Sequence, residues 1–135
     1  MGFPGFAHVA VTVSDLPVSV AWYKRLTGLE PVLDEDTGPF HHVAFAIGGA
    51  ALLALHAFPP GTADRTGQTF DEHRTGLDHV AFGCADRAEL ERWQERLDSL
   101  GVAHGGIIDA HYGSALAFRD PDNLALEFFA PPAPS

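Results

Sequence analysis

Apolar residues in this chain gather in short β-favouring runs, two stretches have helical spacing, and turn-forming residues lie between them. Residues 8–13 and 79–84 read as strands, and each is followed by a helix. In the second helix Asp86 is the expected N-cap and Glu89 its capping-box companion. Leu90, Trp93, Leu97 and Leu100 mark one face before Gly101 stops it. In the first, Asp15 starts the turn, Pro17 sits near the first helical position, and Val18, Trp22, Leu26 and Leu29 form the stripe, with Gly28 near the end. Three strands follow each helix: 30–33, 42–47 and 51–58, then 102–108, 114–118 and 125–129. Gly48-Gly49 and Asp120-Pro121-Asp122-Asn123 are the turns before the last strands. The predicted order is βαβββ, twice, an α+β architecture.

The duplication is visible directly when the chain is laid against itself at an offset of 71 residues. His8-Val9-Ala10 then falls on His79-Val80-Ala81, Asp15 on Asp86, Trp22 on Trp93, Arg25-Leu26 on Arg96-Leu97 and Leu53-Ala54-Leu55 on Leu124-Ala125-Leu126, without insertion or deletion. Between residues 5–60 and 76–131, 16 of 56 positions are identical, where composition alone would give about 4. Both tryptophans take part, and their matched places on helical stripes assign them to the core. The chain therefore reads as one domain over 1–135 built from modules 5–60 and 76–131, with a linker at 61–75 and a frayed tail from Pro131 onward.

Composition narrows the function. Eight Lys and Arg against 18 Asp and Glu give a net charge of −10, which lacks the field that attracts nucleic acid or anionic lipid. The most apolar stretch, 43–55, is broken by Gly48-Gly49 and is too short to span a membrane. The one cysteine, Cys84, has no internal disulfide partner, and the first residues lack a signal-peptide pattern, so a reducing cytoplasmic setting is expected.

Eight histidines are many for 135 residues. His8 and His79 open the first strands of the two modules, and the 71-residue offset gives His56 and Glu127 equal places in the last strands. Around a pseudo-twofold axis these four would converge. Three imidazoles and a carboxylate suit zinc, iron, manganese, nickel or cobalt rather than calcium, and a subset of two histidines and one carboxylate leaves coordination positions open for substrate or dioxygen. Glu127 lies inside an apolar run, where a carboxylate is costly to bury unless paired or metal-bound. His56, if not a ligand, is a candidate for moving a proton. His42 precedes a strand and is a candidate to line the cavity, with His41 beside it, whereas His73 and His104 are expected to face solvent. His111 and Tyr112 lie on the loop before strand 114–118 as substrate-binding candidates, and Tyr112 also as a catalytic one. Arg119 and Asp120 read as turn and surface residues.

The segments 6–9, 77–82 (Leu-Asp-His-Val-Ala-Phe) and 118–128 (Phe-Arg-Asp-Pro-Asp-Asn-Leu-Ala-Leu-Glu-Phe) resemble the vicinal oxygen chelate superfamily. That superfamily includes glyoxalase I, extradiol dioxygenases, fosfomycin-resistance transferases, methylmalonyl-CoA epimerase and bleomycin-resistance binding proteins. The resemblance implies paired βαβββ modules curving around a divalent metal, His8, His79 and Glu127 as its ligands, and a homodimer. Where glyoxalase-like and epimerase-like relatives carry Glu, this chain has His56; extradiol enzymes have a further acid/base histidine at a comparable spacing. The tyrosine those enzymes place about ten residues before the glutamate is replaced by Ala117, for which Tyr112 or His111 is the available substitute. The resemblance implies an enzyme that chelates two vicinal oxygens of a small substrate and stabilises an oxyanion or enolate, as an isomerase, lyase or ring-cleaving dioxygenase. The alternative is a non-catalytic protein that sequesters a small molecule, for which the net charge of −10 suits a cationic ligand.

Overall fold

The computed structural model describes residues 1–62 and 68–134, in two compact units, Met1–Gly67 and Gln68–Ser135. Each unit is a four-stranded mixed sheet with one helix, and together they give the tandem βαβββ order. Of the expected linker 61–75, residues 63–67 lie outside the described residues, as does Ser135 of the tail. No helix among the described residues is long and apolar enough to cross a membrane.

The first unit contains β1 (His8–Thr12), α1 (Leu16–Thr27), β2 (Leu33–Asp36), β3 (His41–Ile47) and β4 (Ala51–Ala57), in sheet order β1-β4-β3-β2 with β1 parallel to β4. Asp15 caps α1 by accepting from the Val18 amide at 3.2 Å, and Gly28, left-handed at φ 70°, closes it by donating to the Lys24 carbonyl. The buried face differs from the predicted stripe. Ser19, Tyr23 and Leu26 are buried, Val18 is exposed, and Trp22 is half-buried, edge-on to Tyr23 with ring centroids 4.8 Å apart. The helix is turned by about one residue because small Ser19 lets it close on the sheet, which makes Tyr23 the aromatic anchor. β2 starts later than expected, since Pro31 has no amide to give to a ladder.

The second unit contains β5 (Val80–Gly83), α2 (Arg87–Ser99), β6 (His104–Ala110), β7 (Gly113–Arg119) and β8 (Ala125–Ala130), in order β5-β8-β7-β6 with β5 parallel to β8. Asp86 accepts from the Glu89 amide at 2.8 Å, and the Glu89 carboxylate reaches back to the Ala85 amide at 2.6 Å, one residue before the usual box position. Leu90 and Leu97 are fully buried, and Trp93 stacks on Phe128 at 4.4 Å.

The two units depart from strict 71-residue repetition. Asp15 and Asp86 both cap, and Leu26 and Leu97 are both buried, as that offset requires. The left-handed glycines that follow the helices, Gly28 and Gly101, are 73 apart instead. Here α2 runs one residue further, to Ser99, and Leu100 caps it before Gly101 in a Schellman pattern, Val102 amide to Leu97 carbonyl at 2.9 Å. The 73-residue spacing persists beyond it: the left-handed turn residues Ala50 (φ 57°) and Asn123 (φ 65°) keep it. In the sheets, Ala10 is level with Ala54, while Ala81 is level with Glu127. Glu127 is therefore the structural counterpart of Ala54, and His56 that of Phe129. The expected equivalence of His56 and Glu127 is corrected by these two residues at the end of α2. A slip of two along a strand returns every side chain to the same face, so Leu53-Ala54-Leu55 meets the same apolar alternation in Leu124-Ala125-Leu126 at 71 and in Leu126-Glu127-Phe128 at 73.

Candidate functional site

In the second unit the helix-covered face carries Leu116, Phe118, Leu126 and Phe128, all buried. The opposite face carries Ala81, Ala117 and Glu127 on one level. Glu127 is thus flanked on its own level only by alanine, which leaves its carboxylate room. His79 precedes β5, and its Nε2 lies 3.2 Å from Glu127 Oε2, while its Nδ1 is 2.7 Å from Asp78 Oδ1. One imidazole thus faces two carboxylates. A neutral ring has one N–H and satisfies one of them, so the second contact calls for another proton or a cation between Nε2 and Oε2. A histidine oriented through Nδ1 by a carboxylate, with Nε2 aimed at a second oxygen donor, fits a divalent transition metal.

Arg119 shares that face. It is paired in a bidentate manner with Glu72, at 2.9 and 2.6 Å, and also donates to the Asn123 carbonyl at 3.1 Å. The guanidinium holds the Glu72 carboxyl down to about 2. Segment 68–74 is further fastened to the turn before β8, through the Phe70 amide to Asp122 carbonyl (2.9 Å) and Asn123 Nδ2 to Phe70 carbonyl (3.0 Å). Asp120 is buried, accepting from the Asp122 and Leu124 amides, so it organises the turn and is not a surface residue as expected. Asp71, Glu72 and His73 present donor atoms within 4.8 Å of one another, but Glu72 is committed to Arg119 and Asp71 to His73.

His111 and Tyr112 occupy the β6–β7 turn, edge-on to one another, with Tyr112 parallel to Phe129 at 6.4 Å. Phe129 is two residues from Glu127 and faces the same way. Gly113, at φ 147°, is required beside it: a Cβ there would lie 2.2 Å from Phe129 Cζ and 2.6 Å from the Ala130 carbonyl.

In the first unit the face away from α1 carries His8, Thr12, Ala54, His56, Ala44 and His42. His42 and His56 are level, with ring centroids 5.3 Å apart, and Phe40 stacks on His56 at 4.8 Å and 13°. Burial, then the neighbouring His42 and His8, lowers the His56 pKa below its usual 6.5. His56 sits level with Thr12, four residues beyond His8, about 13 Å along the strand. His41 bonds Asp34 at 2.5 Å on the opposite face, away from this group. His104, expected to face solvent, is largely buried and held at both ring nitrogens, by Asp98 at 2.6 Å and the Gly106 amide at 3.0 Å. His73 is exposed as expected, on Asp71 at 2.8 Å. Asp78, Glu72 and Phe40 were missed in the sequence. Adjacency to His79 was a signal for Asp78, but the other two lie in segments without periodicity.

The sequence profile of the Glyoxalase/Bleomycin resistance protein/Dioxygenase superfamily matches residues 5–128. The chain belongs to this superfamily. Over 79 residues it is 37% identical to MhqA of Bacillus subtilis (strain 168), provisionally named a ring-cleaving dioxygenase; the match covers 58% of this chain and 24% of MhqA. A glyoxylase/bleomycin resistance protein/dioxygenase domain from Frankia sp. EAN1pec superposes with a TM-score of 0.85 at 30% identity, over 99% of this chain and 96% of that one. A mutant of the fosfomycin resistance protein FosX from Listeria monocytogenes, complexed with Mn(II) and a dihydroxypropylphosphonic acid, shares the fold at a TM-score of 0.67 and 20% identity, over 97% of this chain and 93% of that one.

Proposed function

We propose that this superfamily member is a metal-dependent enzyme that holds a divalent transition metal through His79 and Glu127, with His8 as the third donor. Its substrate is a small molecule presenting two adjacent oxygens, and the reaction is an isomerisation, a lyase step or ring cleavage. The observation that carries this reading is His79 set between Asp78 and Glu127. When bound, the metal would supply Lewis-acid stabilisation of negative charge developing on a substrate oxygen. In the second unit Asp78 holds the His79 ring, and Ala81 and Ala117 leave space over Glu127. Tyr112 and Phe129 offer an apolar rim, with His111 as a polar neighbour.

His56 is assigned the proton-moving role rather than a ligand role, because its Cα level is far along the strand from that of His8. A lowered pKa keeps its imidazole neutral near pH 7 and able to accept a proton, and Phe40 and His42 fix the ring. The buried Cys84 thiol, pushed up to about 11 by burial, is unreactive and suits the proposed cytoplasmic setting. Homodimer formation belongs to the same proposal, from the family resemblance. Elemental analysis of purified protein tests it: stoichiometric transition metal in the wild type, lost in His8→Ala and His79→Ala, is the expected result. Metal-free protein with unaltered small-molecule binding in both variants overturns it in favour of sequestration.

A further inference from the structure

Arg119 projects from the same face as Glu127, one diagonal step away, since Ala117 is level with Glu127 and Arg119 with Ala125. Such neighbours have Cα atoms about 7–8 Å apart, within reach of a long side chain. A free guanidinium there would be drawn to the Glu127 carboxylate and form the bidentate pair that arginine favours. It would then hold both oxygens that a metal needs. Both terminal nitrogens of Arg119 are turned elsewhere, onto Glu72 and the Asn123 carbonyl. Glu72 is delivered by segment 68–74, which two further hydrogen bonds fix to the turn before β8. We infer that Glu72 is a positioning residue that keeps Arg119 off Glu127 and so leaves that carboxylate free for a divalent cation.

This inference rests on Glu127 being a metal ligand, and the test separates the two ideas. Mn(II) and Zn(II) are titrated calorimetrically into wild type, Glu72→Gln, Arg119→Gln and the double variant, with a thermal melt of each. The released arginine should weaken metal binding in Glu72→Gln about tenfold. Arg119→Gln should bind within about twofold of wild type, and the double variant should recover to that level. A merely structural role for the strap predicts no recovery, so a double variant as weak as Glu72→Gln overturns the inference. Glu72→Gln that melts and binds as the wild type does also overturns it, while leaving the metal reading intact. A wild type that takes up neither ion overturns the metal reading, and this inference with it.

Discussion

The two units begin alike and end differently. Each opens on a histidine, runs into an Asp-capped helix and returns through a hairpin whose last strand lies parallel to the first. Two more residues before the glycine that follows α2 then change which side chain stands level with the first strand. The second unit places Glu127 there, next to His79; the first places Ala54, and moves its histidine, His56, further along beside His42 and Phe40. The same offset accounts for the aromatic packing. Position 113 in the second unit corresponds to 40 in the first. Phe40 stacks on His56, whereas Gly113 must yield its space to Phe129. Duplication supplied one scaffold, and a short helix extension divided the chemistry, with a donor pair in one unit and a histidine cluster in the other.

The largest expected effect breaks the packing side of that contrast. Gly113→Ala should cost at least about 3 kcal/mol in chemical denaturation, from the backbone conformation and the overlap with Phe129 and Ala130. Phe40→Ala, at the matching place, should cost less, because Phe40 is only partly buried. Its main consequence should be a rise of the His56 pKa toward 6.5 as water returns to the ring, read by NMR titration.

Next is the chemistry. His56→Ala should lower turnover about 100-fold while leaving bound metal in place, once a substrate is known. The pH dependence of stability should also separate the two units. The folded-state pKa of His56 is depressed, so its contribution is full above pH 6.5 and is lost as pH falls below that value. Glu72 and Asp109, each held at about 2 by an arginine, lose theirs only at lower pH, between the ordinary carboxylate range and about 2. Asp109 is exposed and Glu72 partly so, and their steps should be shallow and weaken with salt. A stability curve for His56→Gln that keeps the loss below pH 6.5 would contradict the assignment.

The smallest effect compares the two helix starts. Asp86→Ala should cost about 1 kcal/mol and Asp15→Ala about 0.5 kcal/mol. The Asp86 cap is reciprocated by Glu89, and the Asp15 cap rests on one 3.2 Å bond.

Elements with local causes were legible in the sequence: both Asp caps, both terminating glycines, the βαβββ order of elements and His79 with Glu127 as candidate ligands. The extension of α2 was hidden because a two-residue slip preserves the apolar face of a strand, so Leu124-Ala125-Leu126 imitates Leu53-Ala54-Leu55 at the wrong offset. The exchange of Trp22 for Tyr23 in the core was hidden because two neighbouring stripes of α1 are both apolar enough, and packing against the sheet decides between them. The Glu72–Arg119 pair joins residues 47 apart across a segment without periodicity, and no local pattern announces such a contact.

The central claim is that Glu127, level with Ala81 and facing His79, is the metal-binding carboxylate, and that His56, four residues beyond the level of His8, is not a ligand. Metal content per chain in Glu127→Ala and His56→Ala, measured side by side after identical loading with Mn(II) or Zn(II), tests it most directly. The account predicts an empty Glu127→Ala and a His56→Ala that retains the wild-type stoichiometry. Retention by Glu127→Ala, or loss in a folded His56→Ala, would contradict it.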